Sequence, residues 1–313
     1  MIQYFKNVDR KTVLVLSPET ANWINIKPPF SQKEFVGLST ALDIPKDFLS
    51  DTLDIEERSR YEIEDDVKLI VIKTPMENKS QYESDAYYIT IPISIILTQK
   101  HQIVTVNSFE NTAMDRFLDT FAKRHPERIN MMILKIFEKV VMDFMQYLKD
   151  INHKRYQLEQ KLYDSNRNEE LLSIMRIQKS LVYFVTALRS NELLLMKIQR
   201  TNFLKLDEEE QEFLEDLIVE FSQGLEMANT YTNILSSTMD AFASIINNNM
   251  NLIMKRLTSI TIILSLPVMV ASIYGMNVDI PYSHSRFSFY IPILLSMAIS
   301  LIISWYFMKK KWF

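Results

Sequence analysis

Two runs without a charged residue constrain this chain more than any other feature: Leu257 to Tyr274, 18 positions, and Phe287 to Met308, 22 positions. A helix needs about 20 apolar residues to cross the hydrocarbon core of a bilayer, so each run is long enough to span it. A single run of this kind could also be a buried core helix. Two in succession, both near the C-terminal end of 313 residues, argue for membrane spans. Whole-chain averages conceal them, because 24% of all residues are charged.

The flanking charges set an orientation. Lys255 and Arg256 precede the first run, and Lys309, Lys310 and Lys311 follow the second. The connecting loop from Gly275 to Arg286 carries Arg286 as its only Lys or Arg. The positive-inside rule then places the N-terminal region and the basic tail in the cytoplasm and the short loop outside. This predicts a multi-pass protein of a bacterial-type inner membrane with both termini cytoplasmic. Met1–Lys11 has no apolar h-region, so no cleaved signal peptide is expected. The absence of cysteine excludes disulfides and thiolate metal sites. A net charge of -4 argues against nucleic acid as a partner. The four histidines (His101, His125, His153 and His284) are widely separated, and the chain has no HExxH, nucleophile elbow or P-loop. That pattern argues against an enzyme and against a nucleotide ligand.

Before the spans the chain divides in two. Residues 1–126 read as an α+β cytoplasmic domain, with β-rich runs at Thr12–Leu16, Val67–Ile72, Tyr87–Leu97 and Ile103–Val106. Ser31–Leu42 and Lys46–Ile55 read as helices, and Glu56–Asp66 as a charged, solvated surface. Residues 127–206 carry apolar positions at the helical period: Phe137, Val140, Phe144, Leu148 and Ile151, then Ile174, Ile177, Leu181, Phe184 and Leu188. The break at Asp164–Asn168 makes them an antiparallel hairpin, ended by Thr201–Leu206. Acids at Asp207–Glu210 suit a helix N-terminus. From there to Tyr274 only Pro267 and Gly224 interrupt helical sequence. One helix over 207–274 would be 68 residues long, roughly 100 Å at 1.5 Å per residue. It would be a stalk continuous with the first transmembrane helix. An outer loop (275–286), a second transmembrane helix (287–308) and a basic tail (309–313) complete the chain.

One face of the first span differs from the rest. Met254, Leu257, Thr261, Ser265, Val268 and Ser272 follow at intervals of three or four, and three of the six are hydroxyl residues. Small and hydroxyl residues in membrane helices often serve close helix packing; a pore lining is the other reading. Below lies Asn247-Asn248-Asn249-Met250-Asn251, either a solvated surface or a ring of amide oxygens around an aqueous axis. At the outer end stands Gly275, one of three glycines, where a left-handed C-terminal cap is expected.

Tyr274-Gly275-Met276-Asn277 resembles the YGMN signature of the CorA family of magnesium and cobalt transporters. The likeness extends to Asn251, to Met254-Lys255-Arg256-Leu257-Thr258, to Pro267, the second span and Lys309-Lys310-Lys311-Trp312-Phe313. It also takes in Ile44-Pro45 through Ile72, with Glu56-Glu57-Arg58. The resemblance implies a funnel-shaped homopentamer in the lipid bilayer, with the first span lining the pore and Gly275, Met276 and Asn277 as selectivity filter. Mg2+ yields its water reluctantly, so neutral oxygens from Asn277 and the Gly275 carbonyl would hold the hydrated ion. The implied pore lining is Asn251, Met254, Leu257, Thr261, Ser265, Val268 and Ser272, with Met254 and Leu257 as the apolar gate. Closure by intracellular Mg2+ would use Asp216 and Glu77, bridging neighbouring cytoplasmic domains.

Two departures from the family stand out. Ser265 occupies a position where the family carries a bulky apolar residue. An acidic element after the signature is missing, which leaves Asp279 to attract cations to the mouth. Met276 favours Mg2+ over the zinc-transporting branch, and the resemblance implies Co2+ or Ni2+ as further ions on the same path. A rival of another class is a membrane-anchored helical scaffold or sensor.

Overall fold

The computed structural model describes residues 2–8, 11–29, 32–79, 85–107, 109–122, 128–164, 168–277, 287 and 289–310. They form two compact units, Met1–Ser236 and Ser237–Phe313.

The first unit is built on a seven-stranded sheet in the order β2-β1-β3-β7-β6-β5-β4. Its strands are β1 (Ile2–Val8), β2 (Lys11–Val15), β3 (Trp23–Ile26), β4 (Arg60–Glu64), β5 (Val67–Glu77), β6 (Tyr88–Leu97) and β7 (Ile103–Asn107). β5 and β6 form a long antiparallel pair, in register from Lys68↔Leu97 to Glu77↔Tyr88. Their apolar runs are nearly continuous because helices cover both faces. The parallel pair β3–β7 is tied by buried polar groups: Trp23 Nε1 donates to Thr105 Oγ1 at 3.0 Å, and Thr105 Oγ1 donates to Asn25 at 2.9 Å.

On one face lie α1 (Gln32–Leu42) and α2 (Lys46–Ser50). Phe35, Leu38, Phe48 and Leu49 pack there against Ile24, Leu69, Val71 and Val104. Beside α4 in the chain lies α3 (Thr112–Ala122). The other face carries α4 (Ile129–Asp164) and α5 (Asn168–Thr201), which contact β5 and β6. Every position of the two expected apolar series, Phe137 to Ile151 and Ile174 to Leu188, is fully buried. The residues joining α4 to α5 lie outside the described set.

The local reading needs three changes. The helix expected over Lys46–Ile55 ends at Ser50 and continues only as a 3-10 turn, Asp51–Leu53. Asp54 has left helical geometry at φ -83°, ψ 113°. β4 lies within the charged Glu56–Asp66 stretch, where Arg60 donates to Glu57 at 2.8 Å and to Asp51 at 2.6 Å and also pairs with Glu62. Charge on an edge strand discourages pairing with other chains, so the polar sequence suits its place. β1, β3 and the helix α3 were not evident from the sequence pattern.

The next helix, α6, spans Glu208–Tyr274, with Asp207 capping its start. The Glu210 amide donates to the Asp207 carboxylate at 2.8 Å, and the Asp207 amide donates back to Glu210 at 3.2 Å. This reciprocal capping box satisfies two donors that the first turn would otherwise orphan. Within the first unit α6 buries Leu217, Phe221, Gly224 and Ala228. Phe221 meets Phe137 edge to face at 6.5 Å. A Cβ on Gly224 would stand 3.3 Å from Leu188 Cδ2 and 3.6 Å from Met145, so glycine admits this close approach.

The second unit contains the rest of α6 and α7 (Tyr290–Lys309). Pro267 stands inside α6. It has no N–H, so the Ile263 carbonyl four residues earlier lacks its helical donor. The Ser300 hydroxyl of α7 donates to that carbonyl at 3.3 Å. Expected features at Asp279, His284, Arg286 and Lys311-Trp312-Phe313 lie outside the described residues.

Candidate functional site

Among the described residues, three helices are long and apolar enough to cross a membrane: α5, α6 and α7. Burial separates them. In α5, 39% of the apolar window is buried inside the chain, against 6% in α6 and 17% in α7. The apolar surface of α5 is therefore substantially used by the first unit, whereas α6 and α7 leave most of theirs uncovered. Aromatic residues stand near both ends of the apolar segments, with Tyr274 and Tyr290 at one and Trp305 at the other. Lys309 Nζ lies 5.2 Å from the Trp305 ring centroid. Such placement is typical of membrane–water interfaces.

In the apolar run of α6, Leu257 to Tyr274, the residues protected from solvent are Ser259, fully buried, and Ile263, Leu266, Pro267 and Val270, half-buried. They share one face at 3.6 residues per turn. α7 turns Pro292, Ser296 and Phe307 inward, and Ser300 reaches Ile263 there. Met254, Leu257, Thr261, Ser265, Val268 and Ser272 fall about half a turn away and are all exposed, as is Asn251. The polar stripe of α6 is thus the face that α7 does not cover.

Two of the stripe's three hydroxyls have defined partners. Thr261 Oγ1 donates to the Leu257 carbonyl at 2.9 Å, and Ser265 Oγ donates to Ile262 at 2.9 Å. Each proton is used within the helix, which leaves oxygen lone pairs as acceptors. That character suits the waters of a hydrated cation. Further in, Leu257 and Met254 present apolar side chains, 57% and 52% exposed.

At the helix end the left-handed cap expected for Gly275 is absent, since no described glycine has a positive φ. The last turn closes in the ordinary hand: the Gly275 amide donates to Ala271 at 3.0 Å and the Met276 amide to Ile273 at 3.3 Å. A Cβ on Gly275 would lie 3.3 Å from the Ala271 oxygen and 3.6 Å from the Ser272 oxygen. What glycine supplies here is open space over two terminal carbonyls. Gly275, Met276 and Asn277 are exposed, and the Asn277 side chain has no partner among the described residues. Asp279 lies outside them.

Asp216 and Glu77 are both exposed. Glu77 pairs with Lys79 at 3.2 Å. Among the described residues no group of three or more His, Asp or Glu could hold a metal ion. Two acids near Asp216 escaped the sequence reading, Glu138 and Glu220. Burial, then Glu138 and Asp216, push the Glu220 carboxyl above its ordinary 4.5, with Lys135 opposing. The like-charged i,i+4 pair Asp216/Glu220 was the available sequence signal.

A family model described as CorA-like Mg2+ transporter protein matches residues 18–310. The chain is 28% identical over 296 residues to the cobalt/magnesium transport protein CorA of Methanocaldococcus jannaschii, covering 93% of this chain and 90% of that one. It is 24% identical over 324 aligned positions to the protein of the same name from Thermotoga maritima, covering 98% and 88%. It also matches the complete structure of the CorA magnesium transporter from M. jannaschii, with a TM-score of 0.85 and 26% identity over 100% of this chain and 99% of that one. With the family model matching nearly its whole length, the chain belongs to the CorA-like Mg2+ transporter family.

Proposed function

We propose that this membrane protein is a divalent-cation channel that admits Mg2+, and Co2+ by the same path, through a pore lined by the stripe of α6. The observation that carries the reading is the exposed hydroxyl-bearing face of α6 opposite the face covered by α7. In a homopentamer with two spans per chain, that face would surround the axis while α7 would meet lipid. Family membership supports the cation, and the relatives from M. jannaschii and T. maritima are named for both cobalt and magnesium.

In this mechanism five Asn277 amides and the Gly275 carbonyls hold the hydrated ion through its waters. No carboxylate lies in either apolar run, so nothing within the membrane binds the ion too tightly to release it. Thr261, Ser265 and Ser272 pass it inward, and rings of Leu257 and Met254 close the path by dewetting. Influx needs no chemical fuel: a divalent ion crossing 100 mV gains about 4.6 kcal/mol, twice the value for a single charge. Intracellular Mg2+ held between neighbours by Asp216 and Glu77 stabilises the closed arrangement. Both termini are cytoplasmic.

The chain has no cysteine, so single-cysteine variants report cleanly. Thr261→Cys and Ser265→Cys should lose Mg2+ flux when treated with a membrane-impermeant thiol reagent. Val270→Cys, on the half-buried face turned toward α7, should retain it. Equal block at all three positions would contradict the pore assignment. Flux of Mg2+, Co2+, Ni2+ and Zn2+ into the same liposomes ranks the cations.

A further inference from the structure

A cavity of about 260 Å³ lies in the first unit between the chain that follows the 3-10 turn, the β5–β6 pair and α5. Its lining includes Lys73 of β5, Thr90 of β6, Ser190 and Tyr183 of α5, and Glu56 and Arg58. Lys73 is the unusual member. It is only 9% exposed, yet it makes no ion pair among the described residues. Its ammonium has one protein acceptor, the Ile55 carbonyl.

Lys73 is also fixed in place. β4 pairs with β5 only as far as Arg60↔Val71, so the Lys73 backbone would form a bare edge. The Asn191 side chain of α5 covers it: the Lys73 amide donates to Asn191 Oδ1 at 3.1 Å, and Asn191 Nδ2 donates to the Lys73 carbonyl at 2.8 Å. With its main chain held from both sides, Lys73 has little freedom to carry its charge to solvent. Burial lowers its pKa, opposed by the charges of Glu56, Asp54 and Glu57.

A buried ammonium retains donors that need acceptors. One of its three N–H groups is used by Ile55. The hydroxyls of Thr90 and Ser190 line the same space, and neither has a protein partner among the described residues. Arg58 adds an exposed cation without an ion pair. Glu56, the carboxylate in the lining, is exposed and not ion-paired to Lys73. A water takes about 30 Å³ in the liquid, so the cavity has room for an anion of several heavy atoms with some water.

We propose that this cavity binds a small oxyanion, a phosphate- or carboxylate-bearing molecule, held by the Lys73 ammonium and the Thr90 and Ser190 hydroxyls. Binding there is separate from ion conduction, and its failure would leave the transport reading untouched. The test uses the full-length protein in detergent, without Mg2+, at ionic strength held constant with sodium chloride. Inorganic phosphate and acetate are titrated in separate calorimetric arms, with thermal unfolding as a second readout. Wild type should bind at least one probe saturably, and the tighter probe identifies the ligand's chemistry. Lys73→Met should weaken binding at least tenfold and Thr90→Val severalfold. Glu56→Gln should tighten it, and Lys179→Met, an exposed residue paired with Asp85 outside the cavity, should leave it unchanged. Absence of saturable binding to wild type, or wild-type affinity in Lys73→Met, overturns the proposal. Should Lys73→Met fail to fold, Thr90→Val decides alone: severalfold weakening supports the site and unchanged affinity overturns it.

Discussion

Ser300 of α7 donates its hydroxyl to the carbonyl of Ile263 in α6, the oxygen that Pro267 leaves without a backbone donor. The bond joins the two apolar helices at the one turn of α6 whose ladder is broken. It lies across the helix from the polar stripe, so it positions the proposed pore wall without lining it. Ser300→Ala should cost about 1 kcal/mol in unfolding stability, within the range measured for polar contacts between membrane helices. In a Pro267→Ala background the backbone N–H returns and serves Ile263, so the same change should cost much less. Unfolding of all four variants in bicelles closes the cycle; equal costs in the two backgrounds would break the link.

The start of α6 offers a second check. Glu210 is buried at 6% exposure, caps Asp207 and accepts from Asn130 of α4 at 3.2 Å, while Arg128 donates to Glu209 at 2.8 Å. Losing an N-terminal cap costs roughly 1 kcal/mol. Asp207→Ala should lower the unfolding midpoint and speed hydrogen exchange at the amides of Glu209 and Glu210. Unchanged exchange there would show that the box does not hold the helix end.

The long elements were legible because periodicity is a local property. Phe137 to Ile151 and Ile174 to Leu188 recur at three and four, and the described helices bury each of them. The α6 stripe was legible for the same reason. β1 and β3 were not, since β3 has four residues and β1 carries Lys6 and Asn7. β4 was hidden because its stability comes from an edge position and from Arg60 pairs rather than from apolar alternation. Ser300–Ile263 joins residues 37 apart, and no pattern announces a hydroxyl aimed at a proline-freed carbonyl. Gly275 was assigned a left-handed cap from its position alone; a glycine after a helix serves equally where a side chain would cover the last carbonyls.

The raised carboxyl of Glu220 sets a pH signature. Its extra stability is fully present below the ordinary value of 4.5 and is lost as pH rises through the raised folded value. The unfolding midpoint of wild type relative to Glu220→Gln should therefore fall as pH rises upward from about 4.5. Mg2+ at neutral pH should stabilise wild type more than Asp216→Asn if cations settle beside these acids. A parallel pH profile for wild type and Glu220→Gln would contradict the crowding of Glu138, Asp216 and Glu220.

The proposed gate can be moved by chemistry alone. Ser265→Leu extends the apolar stretch formed by Met254 and Leu257 and should reduce Mg2+ flux several-fold, because a longer dry segment is harder to wet. Leu257→Ser should do the opposite and raise flux with internal Mg2+ present. Flux in both variants at matched protein density decides; no change in either places the gate elsewhere. Asp216→Lys tests the separate control point and should leave flux poorly inhibited by internal Mg2+.

The most direct measurement is dye-reported Mg2+ influx into proteoliposomes under an inside-negative potential, comparing wild type with Asn277→Ala. Wild type should take up Mg2+, and the variant should assemble normally with uptake near that of empty liposomes. Wild-type uptake indistinguishable from empty liposomes, or full uptake by Asn277→Ala, would contradict a pore whose entrance is the Gly275-Met276-Asn277 ring.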